Sequence, residues 1–256
     1  MDLEPAEKKP AELRRTAMIL IAVMILGAVF VLYAYINHEK GKDPDRPPIT
    51  AKITRNFAAK NQHDKLIGLY DLEGKVWFAV PVCVNQLDEN KHALAMMKEL
   101  VGHYGDREDV FFVWLSIDGI DQGVGPDQLA GVAEDLGVAE SRCWLLTTGD
   151  TDKQRGYIKD QLRLGLVNAR ADGDPAGKWK FPSQLALIDR GMHIRQRYDF
   201  REAYRYQVKA EKELEKRPEL ADEDGFDRVL NAVEELKKTL YANTEFVLNE
   251  TQTGRQ

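Results

Sequence analysis

Cysteine is scarce in this chain: its 256 residues contain two, Cys83 and Cys143. That excludes a disulfide framework and any metal site built from cysteine alone. A single bridge between them stays open, but each stands inside an apolar, strand-like run, where a free buried thiol is common. Basic charge is short as well. The formal net charge is −6, and no basic stripe marks a nucleic-acid surface, so no nucleic-acid partner is expected. The glycine-rich G-x-G-x-x-G and P-loop signatures are missing, as is any internal repeat. His38, His63, His103 and His193 are scattered, without the spacing of metal ligands.

What the chain does have begins with a long apolar run. Residues 17–36, from Ala17 to Ile36, carry no charge. At about 1.5 Å per residue such a helix spans the roughly 30 Å hydrocarbon core of a bilayer. Tyr33 and Tyr35 fall at its far end, where amphipathic rings favour the headgroups. The run is longer than a signal-peptide core and no A-x-A site follows it, so an uncleaved anchor is expected. Lys8, Lys9, Arg14 and Arg15 precede it, against Lys40, Lys42 and Arg46 after it. The positive-inside rule therefore leans towards a cytoplasmic tail (1–16) and an exported remainder. The tail's acidic residues argue against organelle import, which leaves a bacterial inner membrane crossed once, with the C-terminal domain on the periplasmic side. Residues 37–50 read as a linker, since Pro44, Pro47 and Pro48 oppose helix continuation.

From there strands and helices alternate. Residues 66–72 read as a short strand. Residues 76–84 form an apolar run too short for a helix, hence a strand buried on both faces, with Pro81 suggesting a bulge. Asp88 can cap a helix to about Tyr104, with Ala93, Met96, Met97 and Leu100 as its apolar stripe. A strand at 110–117, a helix at 126–136 closed by Gly137, a strand at 143–147 and a helix at 152–164 follow. Residues 167–180 are a long polar excursion. Residues 184–188 and 193–198 pair as a hairpin around Asp189-Arg190-Gly191. Charged helices at 203–216 and 224–241 come last, with a flexible tail at 244–256. The sum is an α/β domain over 51–243: three layers around a mixed sheet.

Several segments resemble one family. Gly74-Lys75-Val76-Trp77 leading through a strand and loop to a Met-bearing helix is similar to the SCO/SenC proteins. So is the strand ending Ser116-Ile117-Asp118, and so is Trp144-Leu145-Leu146-Thr147-Thr148-Gly149 beside the family's W-x-F-L-T-G. Leu187-Ile188-Asp189-Arg190-Gly191-Met192-His193-Ile194-Arg195, followed by Tyr198, resembles its L-I-D-x-x-G-x-I-R…Y hairpin. The resemblance covers roughly residues 50–242. It implies a thioredoxin-like fold of the peroxiredoxin/SCO type, a membrane anchor, and a part in building the Cu-A centre of cytochrome c oxidase, with oxidase subunits or assembly factors as partners.

The departures from the family matter most. Its copper ligands are two cysteines in a CxxxC loop and a distal histidine. In register from Val76-Trp77 the cysteine positions hold Gln86 and Asn90, and the histidine position holds Phe181. Copper needs thiolate and imidazole donors, and dithiol exchange needs two thiols. The expectation is therefore a degenerate site with no metal, no cofactor and no catalytic residue, in a protein that acts by contact and is not an enzyme. Two other readings are kept. Copper could be held by His92 and Met96, four apart on one helix face beside Asp88 and Glu89. Alternatively Cys83 could serve a thiol peroxidase, although burial in mid-strand would raise its pKa. Asp118 reads as a strand-end hydrogen-bonding residue, and 209–216 as a solvated helical face.

Overall fold

The computed structural model describes residues 10–40, 46–138, 142–223 and 225–250. Two compact units make up the chain, Met1–Arg46 and Pro47–Gln256. The first contains a single described helix, α1 (Pro10–Lys40), whose stretch Arg14–Tyr33 is long and apolar enough to cross a membrane by length and composition. Its large apolar side chains from Met18 to Tyr33 are exposed. The helix overruns the expected span at both ends: Pro10 to Thr16, read as tail, are helical, and so are the first residues assigned to the linker. The rest of the expected tail, 1–9, and the middle of the linker, 41–45, lie outside the described residues.

The second unit opens with β1 (Ala51–Lys52), β2 (Ala58–Asn61) and β3 (Leu66–Gly68). Then come β4 (Val76–Val82), α2 (Lys91–Tyr104), β5 (Val110–Ser116), α3 (Pro126–Leu136), β6 (Cys143–Thr147) and α4 (Thr151–Asp160). A small ribbon, β7 (Asn168–Ala169) with β8 (Trp179–Lys180), interrupts the expected polar excursion. The hairpin β9 (Gln184–Ile188) and β10 (His193–Asp199) leads to α5 (Phe200–Lys216), α6 (Phe226–Leu230) and α7 (Ala232–Asn249).

Eight strands form one mixed sheet in the order β1-β10-β9-β4-β5-β6-β2-β3. Within it β4 runs parallel to β5 and antiparallel to β9, which pairs antiparallel with β10. A strand–helix–strand unit joined to a hairpin in the order β5-β4-β9-β10 is the thioredoxin-like core. Every residue of β4 is buried, and its alternation sends side chains to two cores. Val76, Phe78, Val80 and Val82 pack with α2, α3 and α7, whereas Trp77, Ala79 and Cys83 pack with α4 and the segment around Phe57. Those two cores, one on each face, make the three layers. They also separate the cysteines: Cys83 is buried in one and Cys143 in the other.

Four local expectations are corrected. Pro81 makes no bulge: the β4–β5 register is continuous through it, and β9 pairing ends at Ala79, so no β9 acceptor waits for the N–H that proline lacks. Residues 69–72 turn as a 3-10 helix after a three-residue strand, because Asp71 Oδ2 accepts from the Gly68 N–H at 3.0 Å and curls the chain. Asp88 does not cap α2; a 3-10 turn at Leu87–Asn90 comes first, and Asn90 occupies the cap position without a side-chain cap bond. The first six residues of the expected flexible tail, 244–249, are helix, since α7 runs to Asn249 and buries Thr244, Val247 and Leu248. Residues 251–256 lie outside the described residues.

The ends of the domain are held by a buried cation. A register irregularity between Ile194 and Gln196 sets Arg195 where it is fully buried. Its guanidinium donates to the Pro47 carbonyl at 2.9 and 3.1 Å and to Asp189 at 3.1 Å, and it also pairs with Glu250. Pro47 and Thr50, placed in the linker by the sequence, therefore belong to the fold; the Thr50 N–H donates to Ile194 at 2.8 Å.

Candidate functional site

The site lies where β4 meets α2, facing the 176–183 segment. Each of the three family ligand positions is engaged inside the chain. Gln86 Nε2 donates to the carbonyls of Ala176 (2.8 Å) and Trp179 (3.0 Å), while its Oε1 accepts the Trp179 N–H at 2.8 Å. Asn90, 1% exposed, donates from Nδ2 to the Pro81 carbonyl and accepts from Ser183 Oγ, both at 2.5 Å. Phe181 is buried in the α4-side core, and its carbonyl accepts from Arg201 at 3.3 Å. The two amides thus fasten the loop to the segment from which a distal ligand would come. Gly177 allows the closeness: it sits at φ +88°, and a Cβ there would fall 2.5 Å from Gln86.

Charge reinforces the clasp. Glu89 Oε1 accepts from Arg170 and from Arg201, each at 2.9 Å, so one carboxylate joins the ribbon, the loop and α5. Arg170 also donates to the carbonyls of Ala176 and Trp179, shaping the ribbon's turn.

Behind the clasp lies a polar cavity of about 270 Å³ lined by Cys83, Asn85, Gln86, Asp118, Lys178 and Trp179, among others. Asp118 is its centre. One carboxylate oxygen accepts the Trp179 indole N–H at 2.9 Å and Arg155 at 3.1 Å; the other faces the Cys83 thiol at 3.7 Å. The Arg155 guanidinium lies 3.6 Å from the Trp179 ring and the Lys178 ammonium 4.7 Å from it, a doubled cation–π contact. Burial first, and then the Asp118 charge, push the Cys83 thiol up to about 12. At neutral pH the sulfur carries its proton, which makes it a poor nucleophile.

The fit to copper can be judged from these donors. Neutral amide oxygens are weak copper ligands, and both amides are already committed to the protein. Phe181 supplies no donor. The other pair, His92 and Met96, is not brought together as ligands: Met96 is buried in the core, while the His92 ring stacks on Tyr204 with centroids 4.3 Å apart. Burial, then Lys91 and Arg201, lower the His92 pKa. Among the described residues no group of three or more His, Cys, Asp and Glu is placed to hold a metal.

At the end of β5 Asp118 accepts from Ser116 Oγ at 2.6 Å through its main-chain carbonyl, while its carboxylate turns to Trp179 and Arg155. Its side-chain network with Trp179 and Arg155 was not legible, because the three belong to elements far apart in sequence and no spacing rule links them.

Strand order and junction together define a thioredoxin-like domain whose strand–loop–helix carries the amides of Gln86 and Asn90. Among solved structures it is similar to a SCO1/SenC family lipoprotein from Bacillus anthracis str. Ames, 23% identical over 59% of this chain and 86% of that one, with a TM-score of 0.49. It is similar also to BsSco, a member of the Sco family of cytochrome c oxidase assembly proteins, at 16% identity over 78% of this chain and 97% of that one (TM-score 0.49). Copper-bound ScoI of Bradyrhizobium japonicum aligns at 14% identity over 73% and 99% of the two chains (TM-score 0.46). No family model matches the chain, and no curated protein matches it.

Proposed function

We propose that this is a SCO-like assembly protein of a respiratory oxidase, anchored by α1 in a bacterial inner membrane with its domain on the periplasmic side. It acts through protein contacts, and the copper and dithiol chemistry of the family has been replaced by an internal clasp. The ordered set of SCO/SenC-like segments and the apolar helix support the first part. The observation that carries the second is the hydrogen bonding of Gln86 and Asn90. Side chains merely left over after loss of a site would be free to face solvent, whereas these bridge to Trp179 and Ser183. The loop is therefore held shut in one shape, which suits a rigid docking face.

The test is genetic. Deleting the chain should lower assembled, spectroscopically detectable oxidase, and the intact chain should restore it. Added copper should leave the defect in place. Normal oxidase in the deletion strain would overturn the proposal, and rescue by copper alone would return the role to metal delivery.

A further inference from the structure

A second cavity lies away from this site, at the sheet edge where the domain begins. It measures about 440 Å³ and is lined by Thr50, Ala51, Lys52, Arg163 and Arg197. Its three cations come from three separate segments: β1, the turn after α4, and β10. Among the described residues no carboxylate lines it, in a chain whose formal net charge is −6. Among the described residues none of the three is ion-paired.

The cluster is held together by its own framework. Gln161 Oε1 accepts the backbone N–H groups of Thr54 (3.0 Å) and Arg55 (3.1 Å), fixing the chain after β1 to the end of α4. Arg197 donates to the carbonyl of Arg163. Lys52 and Arg197 are seated by their strands, opposite His193 and Ala186 respectively.

Arg163 itself is the unexpected residue. α4 is capped at Gln161, and three residues on the Leu164 N–H returns to the Ile158 carbonyl at 3.1 Å, folding the turn back onto the helix end. A left-handed position just beyond a helix is usually glycine, as Gly137 is at φ +66° after α3. Here an arginine holds φ +55°, between the buried Leu162 and Leu164, with its side chain exposed at the cavity. A side chain in that region is disfavoured, and strained residues gather where they serve a ligand. Three cations brought together without a counter-charge repel one another, and an oxyanion among them removes the repulsion through charge-assisted hydrogen bonds.

We propose that this cavity is an oxyanion site for a phosphate group, carried on a lipid headgroup or free in solution. The site does not depend on the oxidase reading. It is tested on the full chain in non-ionic detergent micelles at constant ionic strength, with chloride as reference. One arm adds inorganic phosphate and the other dopes the micelles with phosphatidylglycerol. The readouts are the unfolding midpoint and the rate at which Lys52 is acylated. Either ligand should raise the midpoint saturably and slow acylation of Lys52. A response to phosphate alone assigns a soluble ligand, and a response to phosphatidylglycerol alone assigns a headgroup. Arg163→Gly removes the cation and relieves the left-handed strain. It should unfold at or above the parent's midpoint in chloride yet bind about tenfold more weakly. Arg197→Gln should also weaken binding. Identical behaviour in chloride, phosphate and phosphatidylglycerol would overturn the proposal, as would parental affinity in Arg163→Gly.

Discussion

Cys83 and Asn90 show how little separates a reactive junction from an inert one. Cys83 lies three residues before Gln86, yet it sits on the strand side of the loop, 1% exposed, against the Asp118 carboxylate. With its pKa near 12, alkylation in the folded chain should stay slow at pH 8 and become fast only on unfolding. The sign of the linkage follows. Because the folded state keeps the proton to about 12, while an unfolded cysteine loses it near about 8.5, the stabilisation is complete below that lower value and fades as pH rises above it. Cys83→Ala should therefore flatten the alkaline loss of stability; rapid labelling at pH 8 would contradict this picture. Asn90→Ala strands the buried Ser183 hydroxyl and the Pro81 carbonyl together. At about 1–3 kcal/mol for each buried polar group left unpaired, denaturant unfolding should register a loss of about 2–6 kcal/mol. A loss under about 0.5 kcal/mol would mean that the clasp is not structural.

Among the elements, α7 is the one the sequence underreads. Polar residues at its end, Asn243 to Glu245, suggest a tail, but each is used. Thr244 Oγ1 donates to the Leu240 carbonyl at 2.7 Å, Glu245 accepts from Tyr104 at 2.8 Å, and Asn243 donates to Tyr198 at 2.8 Å. Arg190 then holds the carbonyls of Val247 (3.0 Å) and Leu248 (3.1 Å) while pairing with Asp109. Truncation before Thr244 would expose core facing Val247 and Leu248. At about 1.5–3 kcal/mol per buried aliphatic side chain, it should cost about 3–6 kcal/mol in denaturant unfolding. An unchanged midpoint would restore the reading of these residues as a tail. Strands β4, β5, β6, β9 and β10 and helix α2 were legible because burial writes itself as period: 76–82 is apolar throughout and α2 repeats its stripe. By contrast β1 and β2, towards the two ends of the sheet, were too short and too polar to read. The ribbon β7–β8 was not, since long-range hydrogen bonds from Arg170 and Gln86 hold it, and these leave no periodic trace.

For the molecule as a whole, the sequence register and the structure bear on one question from different sides. On the proposed reading Gln86, Asn90 and Phe181 stand where two thiols and an imidazole would bind copper; in the structure the two amides hydrogen-bond within the chain and Phe181 is buried in the core. What the sequence alone could not disclose is that Gln86, Asn90 and Glu89 act together, joining the loop to the ribbon, to Ser183 and to α5. The direct measurement is retention of copper. The full chain in detergent micelles is loaded with one equivalent of Cu(I) or Cu(II) and challenged with a competing chelator. The clasp predicts that the chelator takes all the metal and that the unfolding midpoint is the same with and without copper. One equivalent retained against the chelator, with a raised midpoint, would contradict it.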